Sequence, residues 1–324
     1  MHRQLGDASF ADALLPEKVG RNARLEQVDA VLDWEPLAEV VSALYAAPEG
    51  RPSYPPLLMV KVLLLQQWYT ASDPEIEAAL WDRLSFRRFV GLGLQDPVPD
   101  HSTISRFRSA LAARGLGERL FAEVTRQLDA AGWLVKAGTL MDATLVAAQA
   151  RRPSPQAGPG AGSATDPDAR WTRQGGPAHF GYKAHLGVDA ESRLIRRAVL
   201  TPAHVNESEV ADTLISGDER AVYADKAYES KARRARLQAL GIKDRIMHRS
   251  HKHQRHLPYW QQRRNVLIAP VRAPVEHVFG TLKRSYGYRT VRYLGLARNA
   301  LELWFKCLAY NLRRAARLHE LTAG

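Results

Sequence analysis

Cysteine is nearly missing from this chain: Cys307 is the only one in 324 residues. That excludes a disulfide framework and suits a reducing compartment. Long apolar runs are missing too. The most hydrophobic stretch, LLMVKVLLL, is nine residues and is interrupted by Lys61, too short to span a bilayer and better suited to a buried helix. The first residues, MHRQLGDASFADALLPEK, hold no apolar signal core, so a cytoplasmic location and no membrane association are expected. Asn206-Glu207-Ser208 has the form of a glycosylation acceptor, yet nothing else directs the chain to a secretory route. Acidic residues are scarce in one region only. Residues 226–324 hold 22 Lys/Arg against 5 Asp/Glu, a net of +17, whereas residues 1–225 carry a net of −5 and the whole chain +12. A polyanionic partner meeting the C-terminal third is the direct reading, with salt-dependent binding.

Helical periodicity dominates residues 1–131. A helix is expected around Val28–Tyr45. Pro55-Pro56 opens Leu57–Tyr69, which is apolar on nearly every side and so reads as a core helix. Asp73-Pro74 reads as an N-cap with proline at the first helical position, leading into a helix over 75–83. Phe86, Phe89 and Val90 continue the pattern until Gly91 and Gly93 end it. Ser102 reads as the cap of Thr103–Arg114, with Ile104, Phe107 and Leu111 inward and Ser105, Arg106 and Arg108 on the other face. This suits either a helix-turn-helix reader of DNA or a bundle with solvated arginines. A further helix over 117–131 ends at Gly132.

The pattern then changes to strands: 139–146 (TLMDATLV), 180–188 and 193–201 around the turn Asp189–Ser192, 220–223 and 242–247. Helices are expected over 206–216 and 228–240. Residues 150–178, rich in Pro, Gly, Ala and Ser, read as a flexible insertion after the first strand. A last amphipathic helix over 296–318 turns Leu301, Trp304, Phe305, Leu308 and Leu312 to the core and Arg298, Lys306, Arg313, Arg314 and Arg317 outward. Propensity alone gives an α/β chain.

Three separated acidic residues draw attention. Asp142 lies inside a strand, where aspartate is depleted and costly to bury alone, so it calls for a partner such as a divalent cation. Asp225, in VYADKAY, ends a strand, where a turn aspartate is the commonplace reading. Glu276 lies in RAPVEHVFGTLK, where Val275, Val278, Phe279 and Leu282 make a core stripe and Glu276, Gly280 and Lys283 the stripe beside it. Gly280 there leaves room for close approach of a phosphate backbone.

These motifs resemble the DDE class of bacterial insertion-sequence transposases, in the group whose glutamate helix carries a Tyr-Arg-Glu-Lys signature. Arg272, Glu276 and Lys283 keep that spacing, while Ala269 stands where the tyrosine would be. The resemblance spans roughly residues 50–310, including PPLLMVKVLLLQQWYTASDPEIEAALWDRLSFRRFVGL and PDHSTISRFR. It implies an α/β fold with a helical N-terminal domain (1–135, for DNA binding or dimerisation) and an RNase H-like mixed-sheet catalytic core with a C-terminal helix (136–324). It implies catalytic, metal-binding roles for Asp142, Asp225 and Glu276, with Mg²⁺ as cofactor and Mn²⁺ as its substitute. It also implies DNA contacts from Arg272, Lys283, Lys226, Lys183, Arg106 and Arg108. The expected partner is double-stranded DNA, both terminal inverted repeats and target, bound by a homodimer at the nucleoid.

Alternatives remain open at this level: an RNase H-like nuclease without strand transfer, or a silent DNA-binding descendant of a transposase. His248, His251, His253 and His256 admit a zinc site, but their spacing fits no common zinc pattern and interleaved Arg and Lys favour a basic DNA-gripping loop.

Overall fold

A computed structural model of the chain describes residues 5–6, 14–16, 18–45, 53–150, 152–154, 162–173, 176–250, 254 and 256–323. The chain divides into two compact units, Met1–Ala131 with Trp304–Gly324, and Gly132–Leu303.

The first unit is helical: α1 (Ala23–Ala30), α2 (Glu35–Ser42), α3 (Pro56–Tyr69), α4 (Asp73–Asp82), α5 (Leu84–Val90), α6 (His101–Ala113) and α7 (Leu116–Ala130). α3 is buried on nearly all sides, Leu58 through Leu65 except Lys61 being covered. Two caps differ from expectation. The N-cap of α4 is Ser72, in a capping box with Glu75, which releases Asp73 for other use. The N-cap of α6 is Asp100, whose carboxylate takes the Thr103 N–H at 2.7 Å and the Ser102 hydroxyl at 2.6 Å. Those two bonds hold its carboxyl down at about 2. The end of the last helix, α12 (Leu296–Ala323), belongs to this unit rather than to the sheet unit. There the Trp68 indole N–H donates to the Ala309 carbonyl at 2.9 Å. Lys306, expected to face outward, is instead buried, and its ammonium donates to Gln67 at 3.1 Å.

The second unit is built on a six-stranded mixed sheet: β1 (Thr139–Ala147), β2 (Arg170–Arg173), β3 (Ala178–Asp189), β4 (Ile195–Pro202), β5 (Ala221–Ala224) and β6 (Lys243–Ile246). β3 pairs antiparallel with β1 on one side, and with β2 and β4 in succession on the other. β5 runs parallel to β1, and β6 parallel to β5. The path β4-β3-β1-β5-β6, antiparallel then parallel, is the RNase H-like order that the resemblance implies. Gly181 sits at φ +154 with its Cα against β1; a Cβ there would stand 2.2 Å from the Val146 carbonyl oxygen. One face of the sheet buries Met141, Val222, Ala224 and Ile246 together with Leu214, Tyr228 and Leu237. Burying this apolar set is the main stabilising term in the unit. The short helix α8 (Glu207–Val210), a 3₁₀ turn (Ala211–Leu214) and α9 (Lys231–Ala239) connect the strands. α10 (Tyr259–Arg272) and α11 (Pro274–Ser285) follow, packing against β5 and β1 respectively.

The reading of 150–178 as a flexible loop is corrected at its C-terminal half. β2 lies within it, and Asp166 is fully buried. Asp166 accepts the Tyr182 hydroxyl at 2.6 Å and the Gly295 N–H at 3.2 Å, and Asp168 accepts the Leu296 N–H at 2.8 Å at the start of α12. Composition averaged over the segment hides the TDPDARWTR stretch, whose aspartates cap a helix and whose Trp171 is buried.

Candidate active site

Side chains alternate across a strand, so Asp142 points away from the apolar face that Met141 occupies. Met141 pairs with Ala224, the last residue of β5. Asp142 and Asp225 are therefore the next positions on two adjacent parallel strands, whose backbones stand about 4.8 Å apart. β5 ends there because Asp225 turns the chain, its carboxylate accepting the Lys226 N–H as N-cap of the turn Lys226–Tyr228. α11 packs against β1. Its stripe of Val275, Val278, Phe279 and Leu282 is buried, as the spacing predicts. This leaves Glu276 at the helix N-terminus, where backbone N–H groups favour negative charge.

Arg272, the last residue of α10, joins two of the three. Its guanidinium donates to Asp142 at 3.0 Å and to Glu276 at 3.3 Å. Asp142 is largely buried, and burial pushes its carboxyl up to about 6. The Arg272 charge and the Ala143 N–H pull the other way, and the charge of Glu207 adds to the rise. Glu276, by contrast, leaves 64% of its side chain exposed.

The remaining expected contacts divide sharply. Lys226 is exposed beside Asp225, and Lys283 is half-buried on α11, its ammonium pulled down by burial and then by Arg289. Arg106 is exposed and donates to the Ser102 and Thr103 hydroxyls of its own helix at 3.2 Å each. Two assignments are corrected. Arg108 is buried, with Nη1 donating to Asp73 at 2.9 Å and Nη2 to Gln66 at 3.1 Å. Desolvating a guanidinium demands such partners, and they take it away from any DNA surface. Lys183 is also buried; its ammonium donates to the Val205 carbonyl at 3.0 Å and stands 3.6 Å from Glu207. Neighbouring His185 is buried against Thr201, and burial lowers its ring to about 3, so it is neutral near pH 7.

The histidine cluster does not assemble among the described residues. His248 is buried between Glu229 and Arg234 at 3.2 Å each, and its ring is held below its usual range by burial and Arg234. His256 is exposed, and His251 and His253 lie outside the described residues.

Residues 133–312 match the family described as Transposase DDE domain, and residues 14–110 match Transposase domain (DUF772). This chain belongs to the DDE transposase family. It is a DDE transposase, an enzyme acting on DNA. Among solved structures it is similar to a piggyBac transposase synaptic complex with hairpin DNA, at 10% identity, over 93% of this chain and 73% of that one, with a TM-score of 0.48. DDE transposases use divalent metal ions. Two features of the candidate site fit such an ion: its three acidic side chains offer only carboxylate oxygens, which hard cations prefer, and burial still raises the Asp142 carboxyl although Arg272 pulls it down. Among the described residues, however, no three His, Cys, Asp or Glu side chains are already arranged to hold one. Arg272 stands between Asp142 and Glu276, so the guanidinium must give way for both to share a cation.

The sequence carries no signal for Glu207, whose charge adds to the rise of the Asp142 carboxyl. Glu207 follows β4 in the first turn of a four-residue helix, where an acidic residue is ordinary. No local signal separates it from any other helix-opening acid.

Proposed function

We propose that Asp142, Asp225 and Glu276 are the catalytic carboxylates, that they hold Mg²⁺ (Mn²⁺ substituting), and that the transposase cleaves element ends and joins them to target DNA. The adjacency of Asp142 and Asp225 on parallel strands, with Glu276 tied to Asp142 through Arg272, carries this reading. A divalent pair supplies, when bound, activation of the attacking oxygen and stabilisation of the leaving one. The chain's own residues do the rest. Asp142 and Asp225 fix the ligand oxygens on rigid strands, and Glu276, exposed and free to change rotamer, completes the set. Arg272, released from the carboxylates, turns to the scissile phosphate together with Lys283 and Lys226. The surplus of positive charge in residues 226–324 supports binding of a DNA duplex. Arg106 on α6 contributes a phosphate contact from the helical unit. Pairing two terminal inverted repeats calls for a homodimer on DNA.

Excision and strand transfer of a marker between native element ends tests the reading, comparing wild type with Asp225→Asn. Wild-type activity lost in the variant, with end binding retained, is the expected result. Cleavage without joining would point to a nuclease, and joining that survives the substitution would remove Asp225 from the site.

A further inference from the structure

We propose that Arg289 is a further DNA-positioning residue, gripping with Lys283 the backbone of the bound strand a few phosphates from the scissile one. This deepens the reading above and rests on it.

The sequence isolates this pair. Between Glu276 and Glu302 there is no acidic residue, whereas Lys283, Arg284, Arg289, Arg292 and Arg298 all fall in that stretch. The fold satisfies some of them. Arg292 finds Glu302, whose carboxylate stands 3.9 Å from its Nε and accepts its backbone N–H at 3.0 Å. Arg284 donates back to the Gly280 carbonyl of its own helix at 3.3 Å. The Lys283 and Arg289 side chains have no hydrogen-bond or ion-pair partner among the described residues, although Lys283 is half-buried.

The end of α11 decides where Arg289 stands. Gly287, at φ +65, takes the left-handed conformation that terminates the helix, and the Tyr288 N–H returns to the Leu282 carbonyl at 3.0 Å. The chain thus folds back beside the turn that carries Lys283. It then runs along the end of β1. The Arg289 carbonyl accepts the Ala147 N–H at 3.0 Å and the Val291 N–H donates to the Ala147 carbonyl at 2.9 Å, with Thr290 opposite Ala147. Tyr286, Tyr288 and Val291 are buried, which seats the segment firmly, while Arg289 is exposed. Because side chains alternate, Arg289 leaves this edge on the side opposite to Ala147 and Met141, the side of Asp142. Ala147 lies about 16 Å beyond Asp142 along β1, and Lys283 about 10 Å beyond Glu276 along α11. Both cations therefore continue away from the carboxylates toward the same end of β1. Burial and then the Arg289 charge lower the Lys283 ammonium, as expected of like charges held together without an anion. The phosphates of a bound DNA strand supply that anion.

The test is binding of a fluorescent element-end duplex to the full chain, by anisotropy without divalent metal, over a range of sodium chloride concentrations. Wild type is compared with Arg289→Gln, Arg289→Lys, Lys283→Gln and Lys243→Gln, Lys243 being an exposed cation on the outermost strand, β6. Each phosphate contact adds about 0.9 to the slope of log affinity against log salt. Arg289→Gln should lower that slope by about 0.9 and weaken binding on the order of tenfold. Arg289→Lys should restore the slope, and Lys243→Gln should leave it unchanged. Weaker binding with an unchanged slope in Arg289→Gln would make the residue structural and overturn the proposal. Wild-type behaviour of Arg289→Gln, with the slope lowered in Lys283→Gln, would also overturn it while leaving the reading of the site intact. An equal fall in Lys243→Gln would make the effect a property of the whole basic surface, which overturns it too. Unchanged slopes in both Arg289→Gln and Lys283→Gln would remove DNA from α11, and the reading above would fail with the proposal.

Discussion

Arg108 in the helical unit and Arg272 in the sheet unit each bind two side chains, and they differ in what is left over. Arg108 is buried, as is Gln66, and Asp73 spends both carboxylate oxygens on it. Arg87 in the same unit is also buried, its guanidinium capped by the carbonyls of Gly93, Leu94 and Asp96. Arg272 instead shares itself between a buried acid and an exposed one, and Asp142 remains raised despite it. Charge that is fully paired is structural, whereas charge paired incompletely inside a fold marks a place where a ligand completes the set.

The comparison breaks most visibly under substitution of the acids. Asp142→Asn should lower strand cleavage by about 1000-fold or more, since a metal ligand supplies several kcal/mol in the transition state. The variant should stay folded by circular dichroism. Residual cleavage within tenfold of wild type would mean that the incomplete pairing at Asp142 carries no catalytic consequence.

Arg108→Ala should do the reverse. Removing one partner of a buried pair typically costs about 3–5 kcal/mol, so denaturant melts should show a large loss of stability. Loss of end binding without loss of stability would restore Arg108 to a DNA-reading face. Arg272→Ala, in contrast, should remove activity at a smaller cost in stability, because its second partner, Glu276, is exposed.

His185 sharpens the comparison through pH. Its folded value is depressed to about 3 from 6.5, so below pH 6.5 the unfolded chain binds the extra proton. Stability from this group is therefore present near neutrality and is lost as pH falls from about 6.5 toward 3, by about 2 kcal/mol at pH 5. A His185→Gln variant should lack that part of the acid sensitivity. An equal acid loss in both proteins would show that the ring is not kept neutral by the fold.

Much of this was legible in the sequence because it depends on local pattern. The buried stripe of α11, the strand around Asp142 and the alternation of helices in the first unit follow from spacing. What was not legible depends on contacts far apart in the chain. Arg108 and Arg106 occupy one helix two positions apart, and partners far earlier in the chain, Asp73 and Gln66, make one of them structural. Lys183 looked like a site residue because its motif did, yet Val205 and Glu207 claim it after the fold closes. The order in 162–173 escaped composition because two aspartates that usually signal turns here cap a helix more than a hundred residues later.

Gly280 gives the smallest and most diagnostic change. A Cβ there would meet nothing nearer than the Arg284 guanidinium at 3.4 Å, so no internal packing requires glycine. Within a helix, Gly→Ala should therefore stabilise by about 0.5–1 kcal/mol. The same methyl would stand on the stripe shared by Glu276 and Lys283, where a phosphate backbone is expected to approach. Strand transfer should then fall on the order of tenfold even as the melting temperature rises, because small displacements at a reacting centre are costly. A gain in stability with unchanged transfer would show that DNA does not approach along this stripe. Loss of transfer with the fold strengthened would separate what the helix needs for packing from what it keeps for its substrate.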